Sequence, residues 1–322
     1  MSKLLVLILC LVSPLATAAP PPTFEHAKTQ LRQNVYHDQN HNGQIGTFYC
    51  GCDWEWLGKS GGRVDPARCG FKVRAQENRG GRIEWEHIVP AHSFGQQRQC
   101  WQNGGRKHCL ENDPVFRTIE ADMHNLAPAV GELNADRSNF RFGVLPTTPK
   151  QHGACEFRVD FKGRVVEPRD EVKGAIARAY FYMYDRYNLR MSDQQQRLFM
   201  AWDKQFAVSA WELERDRRIA RVMGHSNQFV TGERQWSRGH KNSGEGLVDH
   251  ESNKQSRASS GAKDLRATAG DGAVIIGNRN SKVYHLPKGC PSYAQVSSTS
   301  RVQFATEAEA QTAGYRRAGN CR

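Results

Sequence analysis

Beyond the N-terminus, the chain has no stretch near the ~18 consecutive apolar residues that a membrane-spanning helix requires, so no membrane anchor is expected. Acidic charge is in short supply. Thirty-three Asp and Glu stand against 45 Lys and Arg in 322 residues, a formal charge of +12. A surplus of that sign points to a polyanionic partner, either nucleic acid or an anionic membrane surface. The apolar share of 38% is also low, but that count leaves out 29 glycines. With them the chain falls in the ~45–50% range of globular domains, which excludes whole-chain disorder, a collagen-like fibre and a coiled coil. No internal repeat is evident. The sequence contains no His-Glu-x-x-His and no Gly-x-Ser-x-Gly. Zinc hydrolysis and Ser-His-Asp catalysis on a nucleophile elbow therefore lack their usual signals.

What is present begins with a leader. Met1-Ser2-Lys3 is a short basic start, and Leu4 to Leu15 is an apolar run broken only by Ser13 and Pro14. Ala16-Thr17-Ala18 supplies the small-x-small pattern of a cleavage site, so residues 1–18 read as a secretory signal cut after Ala18. Cys10 leaves with it, and the bulky Leu9 before it argues against a lipoprotein site. Eight cysteines remain in the exported chain. An even number in an oxidising compartment reads as four disulfides. Cys100 and Cys109 flank a glycine-rich loop and are expected to pair. Cys50 and Cys52 are too close to join each other comfortably, so each is expected to reach a different partner.

The chain divides into two folded regions and a spacer. Phe24, Ala27, Leu31 and Val35 recur at helical spacing. Residues 36–81 read as disulfide-stapled loops and short strands. Residues 82–90 alternate as a strand does and stop at Pro90. A loop followed by a helix is expected over 113–139, a hairpin turning at Lys162-Gly163 over 155–166, and two long helices over 170–189 and 192–223. The sum is an α+β domain over 19–231. Residues 232–268 are dominated by Ser, Gly, Asn, Lys and Glu, and are read as a flexible linker. A small α+β module follows over 269–322.

Chemistry-bearing residues concentrate between Glu84 and Asn139. A carboxylate at Glu86 can hold a hard cation, and a neutral imidazole at His87 can take a proton from water. Taken alone, a Glu-His dipeptide is most often an arginine partner beside a surface histidine. The stretch from Glu120 to Asn139 is dense in oxygen donors, which suit Mg²⁺ or Ca²⁺ better than zinc. By itself that stretch reads as helix caps and turns.

Three blocks in order change the weighing: Glu-Trp-Glu-His-Ile-Val-Pro-Ala-His at 84–92, Asp-Met-His-Asn-Leu-Ala-Pro-Ala at 122–129, and Gly-Glu-Leu-Asn-Ala-Asp-Arg-Ser-Asn at 131–139. Together they resemble the bacterial endonuclease I family, over most of residues 22–230. The resemblance implies a periplasmic or secreted, largely sequence-nonspecific endonuclease built around a ββα-metal (His-Me finger) core. It implies His87 as the general base and Glu86 and Asn134 as protein ligands of one divalent ion, most often Mg²⁺. Glu120 is implied as an acidic residue beside the hydrated ion, and Arg106 as a phosphate contact. The implied substrate is DNA, with RNA as a second candidate, cut to leave 5′-phosphate ends. A monomer with no membrane partner is expected. Arg98, Lys107, Arg137 and Arg141 lie near these blocks and are further candidates for phosphate contact.

The segments 278–291 and 314–321 resemble the Ada-type metal-binding module. Four cysteines hold zinc in that family. Here His285 and Ala318 stand at two of the four positions, so a Cys290–Cys321 disulfide is expected and zinc is not. Two rival readings are a non-catalytic secreted DNA-binding protein and a metallohydrolase of another phosphodiester.

Overall fold

The computed structural model describes residues 19–41, 45–248, 275–287, 290–297, 300–304, 306–319 and 321. The expected signal segment and the second half of the expected linker lie outside the described residues. The chain forms two compact units, Met1–Ala258 and Ser259–Arg322.

The first unit opens with α1 (Phe24–Gln30), capped by the Thr23 hydroxyl, which accepts from the His26 amide at 3.3 Å. Its apolar stripe continues through a π turn, and Ala27, Leu31 and Val35 are fully buried against Trp85, Met123 and Leu126. An antiparallel hairpin follows, β1 (Asp53–Leu57) with β2 (Gly61–Asp65). Four cysteines in two bonds staple this loop-rich region: Cys50–Cys155 and Cys52–Cys69. Cys50 and Cys52 thus reach separate partners, as expected.

After the short α2 (Glu77–Gly80) comes β3 (Ile83–His87), which ends before Pro90. Next are α3 (Ala91–Gly95), α4 (Gln99–Asn112) and α5 (Pro114–Glu120). The α4 segment is interrupted at Gly104-Gly105, where Gly105 takes φ +65°, and the Cys100–Cys109 disulfide closes across the break. Then β4 (Leu126–Val130) pairs antiparallel with β3, Trp85 facing Pro128 and His87 facing Leu126. Helix α6 (Gly131–Arg137) follows with no loop. One strand between two helices thus stands where a loop and helix were expected over 113–139. Pro128 hides β4 in the sequence, since a proline argues against a paired strand. It is tolerated here because the pair Trp85–Pro128 falls between hydrogen-bonded pairs of the ladder, so the proline nitrogen points away from β3 and no bond is lost.

Strands β5 (Arg141–Phe142), β6 (Arg158–Asp160) and β7 (Val165–Glu167) form a small sheet in the order β5-β7-β6, including the expected hairpin. Helix α7 (Asp170–Arg186) is the axis of the core, buried on nearly every side. It packs on α8 (Asp193–Gln205) through Tyr180, Phe199 and Trp202, with Phe142 beneath. The expected single helix over 192–223 is two helices. Ser209 accepts the Glu212 amide at 3.1 Å and starts α9 (Ala210–Met223) as a separate element. The unit continues through α10 (Gln228–Thr231).

Residues 233–248 differ from the expected start of a linker. Trp236 stacks on Phe181 at 4.9 Å between ring centroids, and His240 and Ser243 bond the buried Asp185. Few apolar residues are needed to seat this segment because one tryptophan and a buried carboxylate anchor it.

The second unit is a four-stranded sheet, β8 (Ile275–Asn278), β9 (Val283–His285), β10 (Arg301–Phe304) and β11 (Arg316–Arg317), in the order β10-β8-β9-β11. Helix α11 (Glu307–Thr312) packs on β8 and β10. Its small core is Ile275, Tyr284, Phe304, Ala310 and Tyr315, and Cys290–Cys321 is bonded as expected.

Candidate active site

The β3–β4 pair and α6 place Glu86, His87 and Asn134 on the wall of one cavity of about 720 Å³, together with Arg106, Phe24 and Trp101. Adjacent strand residues point to opposite faces, so Glu86 and His87 share a cavity only because the chain bends just after His87. Asn125 makes that bend. Its backbone carbonyl accepts the Ile88 amide, and its side chain both accepts from Val89 N at 2.7 Å and donates to Val89 O at 2.9 Å. A side-chain amide thus extends the ladder where the strand itself stops.

His87 is 8% exposed. Its Nε2 lies 2.9 Å from the Glu120 carbonyl oxygen. A carbonyl only accepts, so Nε2 carries the proton and Nδ1 keeps the lone pair. Burial pushes the imidazole down to about 3; the bond to Glu120 opposes this, and the nearby Arg106, Arg137 and Lys28 push further down. The ring is therefore neutral near pH 7. It is a weaker base than a free imidazole, but one always unprotonated and held in one orientation. The Phe24 ring lies over it, 4.6 Å between centroids.

Glu86 is 2% exposed. Its Oε1 accepts the Tyr49 hydroxyl at 2.7 Å and faces Arg137 Nε at 3.4 Å, while Oε2 has no hydrogen-bond donor among the described residues. Burial raises the carboxyl to about 7, opposed by Arg137 and the Tyr49 bond and assisted by the nearby Glu84 carboxylate. Asn134 donates through Nδ2 to Glu84 Oε2 at 2.9 Å, which leaves its Oδ1 as a free acceptor. Glu84 is itself held by Arg79 and Arg82. Two unpartnered oxygens, one on a buried carboxylate and one on an amide, are the donor set of a hard divalent cation. The residues present fit such an ion.

Close packing keeps α6 in place. A Cβ on Gly131 would stand 2.6 Å from the Arg79 carbonyl oxygen, so only glycine lets the helix begin against this loop. Glu132, fully buried, accepts the backbone amides of Arg74, Ala75 and Gln76, and Asp136 takes the Arg74 guanidinium at 2.8–3.0 Å. These acids belong to the scaffold.

Arg106 lines the cavity and is the half-exposed member of an ion pair, its Nε 2.6 Å from Glu120 Oε1. Glu120 was expected beside a hydrated ion. In the structure its carboxylate does not line the cavity; it orients Arg106, and its carbonyl orients His87. Two of the expected phosphate arms are otherwise engaged. Arg98 forms a two-pronged bond with Asp113. Arg137 is fully buried, donating to the His87 and Ile88 carbonyls. Tyr49, Glu84, Asn125 and Arg137 are the site residues that the sequence reading did not assign these parts.

A sequence model of the family described as Endonuclease I matches residues 23–233 of this chain. The chain is similar to an "Extracellular deoxyribonuclease" of Aeromonas hydrophila, 48% identical over 229 residues that cover 70% of this chain and 96% of that protein. It is also similar to a "Periplasmic deoxyribonuclease" of the same organism, 51% identical over 185 residues, 57% of this chain and 77% of that one. An "Endonuclease-1" of Buchnera aphidicola subsp. Acyrthosiphon pisum is 47% identical over 190 residues, 59% and 75% of the two chains.

Proposed function

Because the chain belongs to the endonuclease I family, we propose that it is an exported, divalent-metal-dependent endonuclease that hydrolyses DNA, with RNA as a second substrate. The observation that carries this reading is the set of three atoms on one cavity wall that have no hydrogen-bond partner among the described residues: Nδ1 of His87, Oε2 of Glu86 and Oδ1 of Asn134.

Phosphodiester hydrolysis needs an in-line oxygen nucleophile, compensation of charge on the phosphate and support for the leaving alkoxide. In this reading His87 Nδ1 takes the proton of the attacking water. The Nε2–Glu120 bond holds the ring in that tautomer, and Phe24 limits its motion. Arg106 contacts the phosphate, aligned by Glu120. Glu86 and Asn134 would hold the divalent ion, Mg²⁺ being the expected one. When bound, that ion supplies charge neutralisation at the phosphate and the leaving oxygen. A histidine base contributes about 10²–10⁴ in rate, so most of the acceleration falls to the charge-stabilising groups. The expected products carry 5′ phosphates. Contacts with phosphate and sugar give no base readout, which fits broad sequence tolerance.

The substrate and compartment named for the similar proteins, and the cysteine bonds formed here, support an exported DNA-cutting enzyme. Nicking of supercoiled plasmid, followed by end labelling, tests the proposal. Cleavage that stops with EDTA, returns with Mg²⁺ and leaves 5′ phosphates is the expected result. Cleavage indifferent to EDTA would overturn the one-ion reading, and binding without cleavage would favour the non-catalytic alternative.

A further inference from the structure

Every group of the candidate active site lies before residue 140, and the family match ends at residue 233. The chain beyond the family match concentrates positive charge. Residues 275–322 contain seven Lys or Arg and only two acidic residues. Both acids lie on α11, and one of them, Glu307, already accepts the Tyr284 hydroxyl at 2.7 Å.

The fold gathers several of the cations at one end of the sheet. The turn between β8 and β9 closes through the Lys282 amide on the Asn278 carbonyl at 2.9 Å, leaving Arg279 and Lys282 exposed. Strand β11 runs parallel beside β9, and the Arg316 amide donates to the Lys282 carbonyl at 2.9 Å, so an exposed Arg316 joins them. Arg279, Lys282 and Arg316 have no carboxylate partner among the described residues. The Lys282 ammonium lies 4.6 Å over the Tyr315 ring, which steadies it without neutralising it.

We propose that Arg279, Lys282 and Arg316 form a second, non-catalytic surface for nucleic-acid backbone phosphates. The choice of nucleic acid among polyanions rests on the nuclease reading. Guanidinium forks and an ammonium suit phosphate oxygens, and they read charge rather than sequence. Carrying such a surface on the same chain as the cutting unit raises the local concentration of a long substrate.

The test uses the full chain with EDTA, so that a long DNA duplex stays intact. Affinity is measured against salt for the unchanged protein, for Arg279→Gln/Lys282→Gln/Arg316→Gln, and for Arg279→Lys/Arg316→Lys. Each phosphate contact adds ~0.9 to the slope of log affinity against log salt, so the triple Gln variant is expected to lose about 2–3 in slope. The Lys variant, which keeps the charges, should hold the slope near the unchanged protein's and so show that charge rather than folding was lost. An unchanged slope in the triple variant overturns the proposal. Binding to phosphatidylglycerol vesicles is measured beside it, and a loss in the triple variant confined to the vesicles also overturns the proposal, since it assigns the surface to membranes. Plasmid cleavage by the unchanged protein is scored separately: no cleavage with a reduced slope sinks the nuclease reading and leaves phosphate binding standing.

Discussion

Replacing Tyr49 with phenylalanine removes one oxygen and leaves the ring that packs against Phe48 and Phe157 at 5.2 and 4.8 Å. The lost hydroxyl donates to Glu86 Oε1 at 2.7 Å in a buried setting. A bond of that kind to a charged acceptor is worth about 1.5–3 kcal/mol, and each ~1.4 kcal/mol is tenfold. The ionised form of Glu86 loses that support, so its carboxyl moves above its present value of about 7. A divalent ion must then displace a proton that the unchanged protein has half shed at neutral pH. Affinity for Mn²⁺ or Mg²⁺ at pH 7 should fall about 10–100-fold, in line with the usual effect of removing a group that orients a metal ligand. The deficit should narrow at higher pH, where the proton is gone in both proteins. Calorimetric titration at two pH values measures this directly. Equal affinities at pH 7 would refute the assignment of Glu86 as the ligand that Tyr49 supports.

His87→Ala should lower the cleavage rate about 10²–10⁴-fold while leaving ion affinity near that of the unchanged protein, measured by plasmid nicking beside calorimetry. A residual rate close to normal would remove the base from His87. Glu120→Gln keeps the carbonyl that holds His87 but frees Arg106; substrate affinity should weaken more than the rate at saturation, read from KM and kcat separately. Acid stability follows from His124, which is 1% exposed and pushed down by burial to about 3. The folded chain keeps it neutral while the unfolded chain protonates it below about 6.5. Its contribution is therefore whole above pH 6.5 and is lost as pH falls toward 3, up to about 4–5 kcal/mol. Urea unfolding of the unchanged protein and of His124→Gln between pH 7 and 4 should show a shallower loss in the variant.

Local signals made much of this molecule legible. The spacing of Ala27, Leu31 and Val35 fixes α1, Pro90 bounds β3, and a glycine pair between Cys100 and Cys109 marks a closed loop. The three ordered blocks place Glu86, His87 and Asn134 together. What stayed hidden depends on long-range packing. Tyr49 reaches Glu86 across 37 residues of chain and looks like any core tyrosine until the fold closes. Arg137 reads as a surface cation, yet β4 and α6 bury it behind Glu86, where its charge holds three carbonyls and a carboxylate. Glu120 pairs with Arg106 across 14 residues, a contact that the sequence order alone does not display. Composition likewise obscured residues 233–248, because a single stacked Trp236 outweighs a polar neighbourhood.

The most direct measurement is a crystal structure of His87→Ala with Mn²⁺ and a short duplex, using anomalous scattering to locate the ion. An ion about 2.1 Å from both Glu86 Oε2 and Asn134 Oδ1, with a phosphate oxygen in its coordination sphere, is the predicted result. An ion held elsewhere, with neither oxygen in reach, would contradict the account.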